Sequence, residues 1–391
     1  MTATSEPTKR VAIIGSGYFS QFHIAAWQRL PVTIAGMLTL DEATGDALCE
    51  RFDIQQRYTS IDELLDDQVD LVDIIVPPEA QLGLIKPIAE RRTPMICQKP
   101  FCRDLEQARE ATAFCASHNT ALVVHENFRH QPWYRAIHKE LSAGRLGKVY
   151  QATFRLRPGD GQGADAYLAR QPYFRDQPEF LVRETAVHLI DVFRYLFGEV
   201  DEVFASLQRL NPVIKGEDAG LMMMRFASGI RTVIDANRLA DHAADNTRLT
   251  MGELRIEGEK GELTLDGFAR IFFRAHGSTD YQAISYDWQD VDFGGDCVYL
   301  TQKHILSSVF DYQRSLDAAL HNTSDAQAAN GNSDKSEIEN GIESGLENGL
   351  ENKAGDYLIN RRLERLMYES CLLYTSPSPR DQRGSRMPSS A

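Results

Sequence analysis

Apolar positions in the first 126 residues fall in short continuous runs: Val11–Ile14, Val32–Leu38, Leu71–Val76, Pro94–Cys97 and Ala121–Val124. Such runs suit strands buried on both faces of a parallel sheet. Between them the pattern turns helical. Asp104–Ser117 is clearest, with Asp104 as N-cap and Gln107 three residues on, a capping box. Ala43–Phe52 reads as another helix. The alternation predicts an α/β Rossmann-type nucleotide-binding domain over 1–126.

Pro132 opens a further helix that Gly144 ends. From Lys148 strand-like stretches follow one another: Val149–Leu156, Val203–Gln208, Gly220–Phe226, Thr232–Asn237, Glu253–Glu257 and Glu262–Leu265. One strong helix, Arg183–Phe197, interrupts them. This predicts an α+β domain with a large, mainly antiparallel sheet, formed by 127–320 and 354–371.

Two segments depart from the plan. Residues 338–353 repeat Ile/Leu-Glu-Asn/Ser-Gly, and a glycine in a helix costs about 1 kcal/mol. With the Asn/Ser/Asp-rich stretch before it, 321–353 reads as a disordered acidic insertion. Residues 372–391 combine Ser, Pro and Arg without periodicity and read as a non-native tail in place of the native C-terminus.

Net charge changes the list of partners. It is -14 over 391 residues, of which 321–353 contribute -5 through seven acids and two lysines. Nucleic acid and anionic membranes are poor partners for such a chain. No apolar run approaches the roughly 20 residues of a membrane span, and the first ten residues lack the apolar core of a secretory signal. The six cysteines show no CxxC and no Cys/His cluster with ligand spacing, so reduced thiols in a cytoplasm and no metal are expected.

The first strand runs into Gly15-Ser16-Gly17-Tyr18-Phe19-Ser20. Gly15 permits a tight turn, Gly17 lets backbone N–H groups approach a pyrophosphate, and the next helix offers its positive end. Small Ser20 stands where a third glycine is usual. Ser16, Tyr18 and Phe19 belong to the same cradle. Thr39 ends the second strand, and Asp41 lies where an acid can hold ribose hydroxyls; capping the following helix is its other reading. No Arg or Lys lies between Leu38 and Glu50 to clamp a 2′-phosphate, so NAD is slightly favoured over NADP.

Further on, Met95-Ile96-Cys97-Gln98-Lys99-Pro100-Phe101 ends a buried strand, and Pro100 disfavours helix at Lys99. Lys99 would point into the crevice at the strand ends; a surface lysine is the other reading. Glu184, His188 and Asp191 stand at i, i+4 and i+7 and share a helix face. A carboxylate beside an imidazole suits proton abstraction from a hydroxyl; a packed histidine with Asp191 paired to Arg194 is the alternative.

Together these residues resemble the glucose–fructose oxidoreductase / inositol dehydrogenase (Gfo/Idh/MocA) family. The likeness runs from about Arg10 to Phe310 and resumes at Ala354–Ser370. It includes His23 eight residues after Gly15, Gln98-Lys99-Pro100 in place of Glu-Lys-Pro, and His125-Glu126-Asn127-Phe128-Arg129. It also includes Glu184…His188…Asp191 where the family has Asp…His…Asp. The resemblance implies an NAD(P)-dependent dehydrogenase of a sugar, cyclitol or related polyol, assembled as a homodimer or homotetramer. It implies that His188 takes the hydroxyl proton while hydride leaves for nicotinamide. Lys99 stabilises the alkoxide, and Glu184 holds substrate or orients His188. Pro77 and Gln98 join Lys99 on the cofactor side. Asn127, Arg129, Arg157, Tyr173 and Asp191 line the substrate side. Gln98 and Glu184 depart from the family pattern. A non-catalytic nucleotide or sugar sensor, and a lyase or hydrolase with tightly held NAD, are the alternative readings.

Overall fold

In the computed structural model, residues 8–291, 293–329 and 349–374 are described. The chain forms two compact units, 1–136 with 286–361, and 137–285 with 362–391.

The first unit holds a six-stranded parallel sheet: β1 (Lys9–Ile14), β2 (Val32–Leu38), β3 (Arg57–Tyr58), β4 (Leu71–Ile74), β5 (Met95–Gln98) and β6 (Leu122–His125). Their order is β3-β2-β1-β4-β5-β6. The direction of winding reverses between β1 and β4, and the carboxyl ends flanking such a reversal form the ligand crevice of doubly wound sheets. β4, β5 and β6 are buried throughout, which is why their sequences run apolar. Five helices connect the strands: α1 (Ser20–Gln28), α2 (Glu42–Phe52), α3 (Ile61–Asp66), α4 (Pro78–Glu90) and α5 (Leu105–Ser117). Asp104 caps α5 by accepting from the Gln107 N–H, as the capping box predicts.

Residues 286–361 pack with this unit, whereas the sequence pattern assigns 127–320 to the second domain. The reason lies in the long helix Phe293–Ala329, kinked at Gly294–Asp296. Its Ile305, Val309 and Leu316 share one core with Ile24 and Trp27 of α1. Gln313 holds it further, accepting from Ala121 N–H at 2.8 Å and donating to Asn119 O at 2.7 Å.

The acidic insertion is ordered at both described ends. Helix continues through Ala329, and residues 330–348 lie outside the described residues. Beyond them Leu350 is buried in the core, and Val124 N–H donates to Asn352 O at 2.9 Å. Glu351 pairs with Arg129 at 3.3 Å and Arg135 at 2.7 Å. The last repeat is thus a packed strap on the edge of β6, held by backbone pairing and two arginines. Of the proposed tail, 372–374 are helical and 375–391 lie outside the described residues.

The second unit contains an eight-stranded sheet in the order β14-β13-β12-β11-β7-β10-β9-β8. These are β7 (Val149–Leu156), β8 (Val200–Gln208), β9 (Ala219–Phe226), β10 (Arg231–Asn237), β11 (Gly252–Gly258), β12 (Gly261–Leu265), β13 (Ile271–Ala275) and β14 (Gln282–Ile284). All pairs are antiparallel except β7 with β10. Burial alternates along β9: Met222, Met224 and Phe226 are buried while Leu221 and Met223 are exposed. The buried helix Val187–Phe197 also belongs to this unit. It does not begin as an α-helix at Arg183, as its periodicity predicts. Val182–Ala186 form a π-helical turn first.

Candidate active site

In the first unit, Gly15 leaves β1 with φ +110°, and a Cβ there would lie 2.2 Å from the Ile75 carbonyl oxygen. Only glycine fits. Gly17 differs: a Cβ there would meet no protein atom, so its small size serves no packing contact within the chain. α1 follows with no side-chain N-cap and no acid in its first turn. Its positive end is therefore unspent, as a pyrophosphate site requires. Ser20 is buried, and its Oγ donates to Gly15 O at 3.0 Å, so the hydroxyl fastens the turn. Tyr18 is exposed. Phe19 packs against Phe22, His23 and Phe293.

At the end of β2, the Ser16 hydroxyl lies 2.6 Å from Thr39 Oγ1 and 2.8 Å from Thr44 Oγ1. Asp41 accepts from the Thr44 N–H at 3.1 Å and caps α2. The capping reading of Asp41 is thus realised, with its other carboxylate oxygen left for the ribose reading. Exposed Pro77 precedes α4 as its N-cap residue.

Lys99, half-buried, follows the carboxyl end of β5. The turn around it is clamped by Gln81 of α4, which sequence reasoning missed. Gln81 is fully buried. Its Nε2 donates to Gln98 O at 2.9 Å and Pro100 O at 3.2 Å, and its Oε1 accepts from Cys102 N–H at 2.6 Å. Gln98 is itself buried and accepts from the Lys99 N–H through Oε1 at 2.7 Å.

Asn127 is buried, and its Oδ1 has no hydrogen-bond partner among the described residues. A buried acceptor without a donor is costly, which marks it as a place for a ligand group. Arg129 turns its guanidinium to Glu351 instead.

In the second unit, Glu184, His188 and Asp191 are all buried. Glu184 Oε1 accepts from Gln177 Nε2 at 2.8 Å. The π turn that carries Glu184 is held from two sides. Glu217, buried, accepts from the N–H groups of Phe180 and Val182 at 3.2 and 3.1 Å and from the Tyr368 hydroxyl at 2.7 Å. Burial raises the pKa of Glu217, and the Tyr368 and backbone hydrogen bonds oppose that rise. Arg238 donates to Thr185 Oγ1 at 2.5 Å and to Asp160 Oδ2 at 2.6 Å, enclosed by the rings of Tyr167, Phe174 and Phe180. Single-turn π bulges recur at functional sites.

Two further candidates sit differently from one another. Tyr173 is exposed at 51%, and desolvation, then the Glu184 carboxylate, push its pKa up. Arg157 is engaged in the sheet, donating to Asp235 O and Asp235 Oδ2, both at 2.6 Å. The neighbouring strand β10 thus takes the charge that the sequence reading offers to substrate. Arg194 likewise reaches Glu199 at 2.7 Å. No group of three or more His, Cys, Asp or Glu among the described residues could hold a metal, and no described helix is long and apolar enough to cross a membrane.

Residues 9–126 match the family described as "Oxidoreductase family, NAD-binding Rossmann fold", and residues 134–264 match the "GFO/IDH/MocA C-terminal domain". A D-apiose dehydrogenase of Paraburkholderia graminis is 29% identical over 84% of this chain and 85% of its own length. In fold, the chain is similar to an oxidoreductase from Agrobacterium radiobacter solved with NAD+, L-tartaric acid and magnesium. There the TM-score is 0.76 at 23% identity, over 94% of this chain and 97% of that one. It is also similar to an inositol dehydrogenase homolog from Azotobacter vinelandii solved with NADH and myo-inositol, with TM-score 0.70 at 13% identity, over 94% and 96%. With both domains matched in order, the chain belongs to the Gfo/Idh/MocA family of oxidoreductases, and its first domain is the NAD-binding Rossmann fold of that family.

Proposed function

We propose that the chain oxidises a secondary hydroxyl of a sugar, cyclitol or related polyol, passing hydride to a bound nicotinamide. One observation carries this reading. The glycine turn with its uncapped helix and the clamped Gln98-Lys99-Pro100 turn stand at the carboxyl ends of β1 and β5, on either side of β4. A nucleotide held by the first turn would have a lysine on a clamped backbone at the second. The relatives support the substrate class, since one is named for D-apiose and another was solved with myo-inositol.

The bound cofactor supplies the hydride acceptor. Lys99 acts as a fixed positive charge for the alkoxide that forms as the hydroxyl proton leaves, a preorganised electrostatic effect. His188 receives that proton, and Glu184 orients it or holds a neighbouring hydroxyl. Asn127 offers its Oδ1 to a ligand N–H or O–H. Asp191 and Tyr173 complete the substrate side, with Arg129 and Arg157 bracing the frame. Gly15, Ser16, Gly17, Tyr18, Phe19, Thr39, Asp41, Pro77 and Gln98 hold the nucleotide, with NAD favoured slightly over NADP. The chain acts as a homodimer or homotetramer in the cytoplasm. Exposed Leu221 and Met223 on β9 support assembly, and the buried thiols Cys49, Cys97 and Cys115 support a reducing compartment.

Lys99→Ala tests the assignment. Turnover with a polyol should fall by about 10²–10³-fold, while NADH affinity in a fluorescence titration stays nearly unchanged. Near-normal turnover would remove Lys99 from the mechanism. Nucleotide that co-purifies and never exchanges would instead favour internal redox chemistry.

A further inference from the structure

Behind Lys99 and Gln98 the first unit buries two polar side chains, Asp73 and His23, that the reading above leaves without a role. Asp73, in the middle of β4, and His23, on α1, are both fully buried. Asp73 Oδ2 accepts from Trp27 Nε1 at 2.7 Å and lies 2.8 Å from His23 Nδ1. His23 Nε2 lies 3.0 Å from Gln98 Nε2, and Gln98 Oε1 lies 2.7 Å from the Lys99 backbone nitrogen.

Chemistry assigns every hydrogen along these contacts. A backbone N–H only donates, so the Gln98 atom facing Lys99 is the carbonyl oxygen, and the NH2 faces His23. An amide NH2 only donates, so His23 Nε2 is a bare acceptor. A carboxylate only accepts, so His23 Nδ1 carries the hydrogen. Both ends require the same ring: hydrogen on Nδ1, lone pair on Nε2. An imidazolium would set N–H against N–H at Gln98.

We propose that Asp73, His23 and Gln98 form a positioning relay for Lys99, in which the amide at position 98 keeps His23 as the uncharged Nδ1–H tautomer. A glutamate at 98, the residue the family pattern carries there, reverses the last link. One of its oxygens accepts from the Lys99 N–H. The other faces His23 Nε2, which must then bear a proton. The Gln98→Glu exchange therefore draws one proton into the cluster, and the added negative charge at 98 is balanced by a positive charge at 23. The number of hydrogen bonds is unchanged, so either residue can hold the lysine backbone, with a different charge beneath it. The other titratable groups facing the cluster are His125, whose ring lies tilted by 40° against His23 at 4.1 Å between centroids, and Cys97. Burial first, then Cys102 and Asp73, raise the Cys97 thiol. The part that concerns Lys99 rests on the proposed function; the tautomer rests on hydrogen bonding alone.

Two-bond 1H–15N spectra of the full chain labelled with 15N-histidine test it at pH 7.5. His23 is the ring missing from the spectrum of His23→Asn; should that variant not fold, it is the ring whose pattern changes in Gln98→Leu. The expected parent pattern is a protonated Nδ1 with a bare Nε2. In Gln98→Glu both nitrogens should show imidazolium shifts. An Nε2–H ring or an imidazolium in the parent overturns the proposal, and so does a neutral ring in Gln98→Glu. For positioning, Gln98→Leu should lower kcat about 10²-fold, and Gln98→Glu should restore most of it with a shifted pH profile. A Gln98→Leu enzyme with parental kcat sinks the relay. Should Lys99→Ala prove active while the tautomers come out as stated, the proposed mechanism fails and the tautomer assignment stands.

Discussion

Replacing Gln81 by leucine removes the clamp under Lys99 without opening a cavity, because the two side chains have nearly the same volume. Four hydrogen bonds go with it: those to Val76 O, Gln98 O and Pro100 O, and the one from Cys102 N–H. Leaving a buried polar group unsatisfied costs about 1–3 kcal/mol. Taking the N–H at about 2 kcal/mol, and each of the three carbonyls, which keeps a second lone pair, at about 1 kcal/mol, gives about 5 kcal/mol. That is several thousandfold in the ratio of folded to unfolded chain, at about 1.4 kcal/mol per tenfold. Equilibrium urea unfolding should show a lower midpoint with an unchanged slope. Under conditions where the variant is folded, kcat should fall about 10²-fold because the lysine loses its fixed position. NADH affinity should hardly move, since the glycine turn after β1 is fastened separately by Ser20 of α1. A stability loss below about 0.5 kcal/mol, the range of ordinary surface changes, would refute the clamp. The full loss with an undiminished kcat would refute its link to Lys99.

Stability should also fall as pH falls below about 6.5, the ordinary histidine value. Burial, then the Arg135 charge, hold His130 well below that value, and burial likewise lowers His304. Both rings accept hydrogen bonds that protonation would remove: His130 from Arg135 at 2.7 Å, and His304 from Glu351 N–H at 3.1 Å. The unfolded chain binds these protons first, at up to about 1.4 kcal/mol per pH unit for each ring; His304→Gln should roughly halve the slope between about pH 6.5 and 5. Stability that is flat or rising as pH falls through that window would contradict the assignment. Asp41→Ser keeps a cap for the Thr44 N–H but deletes the carboxylate. NADH binding should weaken about tenfold, the loss of one charged hydrogen bond, with NADPH unaffected; equal behaviour of the two nucleotides would leave Asp41 as a cap alone.

Five of the six strands of the first unit were legible to within a residue or two, and the two-residue β3 was missed. Pro94–Cys97 was expected and Met95–Gln98 is found, because a strand buried on both faces must be apolar throughout. That same rule hid Asp73. It sits inside Leu71–Val76, where a lone acid reads as noise, and its partners His23 and Trp27 lie 50 and 46 residues away. A charge in the centre of an apolar run is itself a signal, since burying it demands donors. Gln81 left no mark because all its partners are backbone groups. The stripe of Ile305, Val309 and Leu316 announces a buried helix face without saying what it packs on. The π turn at Val182–Ala186 was illegible for a related reason: an α-helical and a π-helical turn need the same residue types, and what fixes this one is Glu217, about 35 residues on.

Two of the residues that sequence reading missed, Gln81 and Glu217, show why an amide serves one place and a carboxylate the other. The turn after β5 presents both carbonyls and an N–H to the side chain that holds it. Gln81 has both a donor and an acceptor, and it meets all three without adding charge beside the Lys99 ammonium. The start of the π turn presents only donors, the N–H groups of Phe180 and Val182, as any helix start does. A carboxylate is the side chain that only accepts. Exchanging amide for acid would therefore fail at both places for opposite reasons. Gln81→Glu would set an oxygen against the carbonyls of Gln98 and Pro100. Glu217→Gln would turn an NH2 toward the Phe180 N–H, which now reaches both carboxylate oxygens at 3.2 Å. The backbone group each side chain faces, rather than charge as such, decides which of the two residues can stand there.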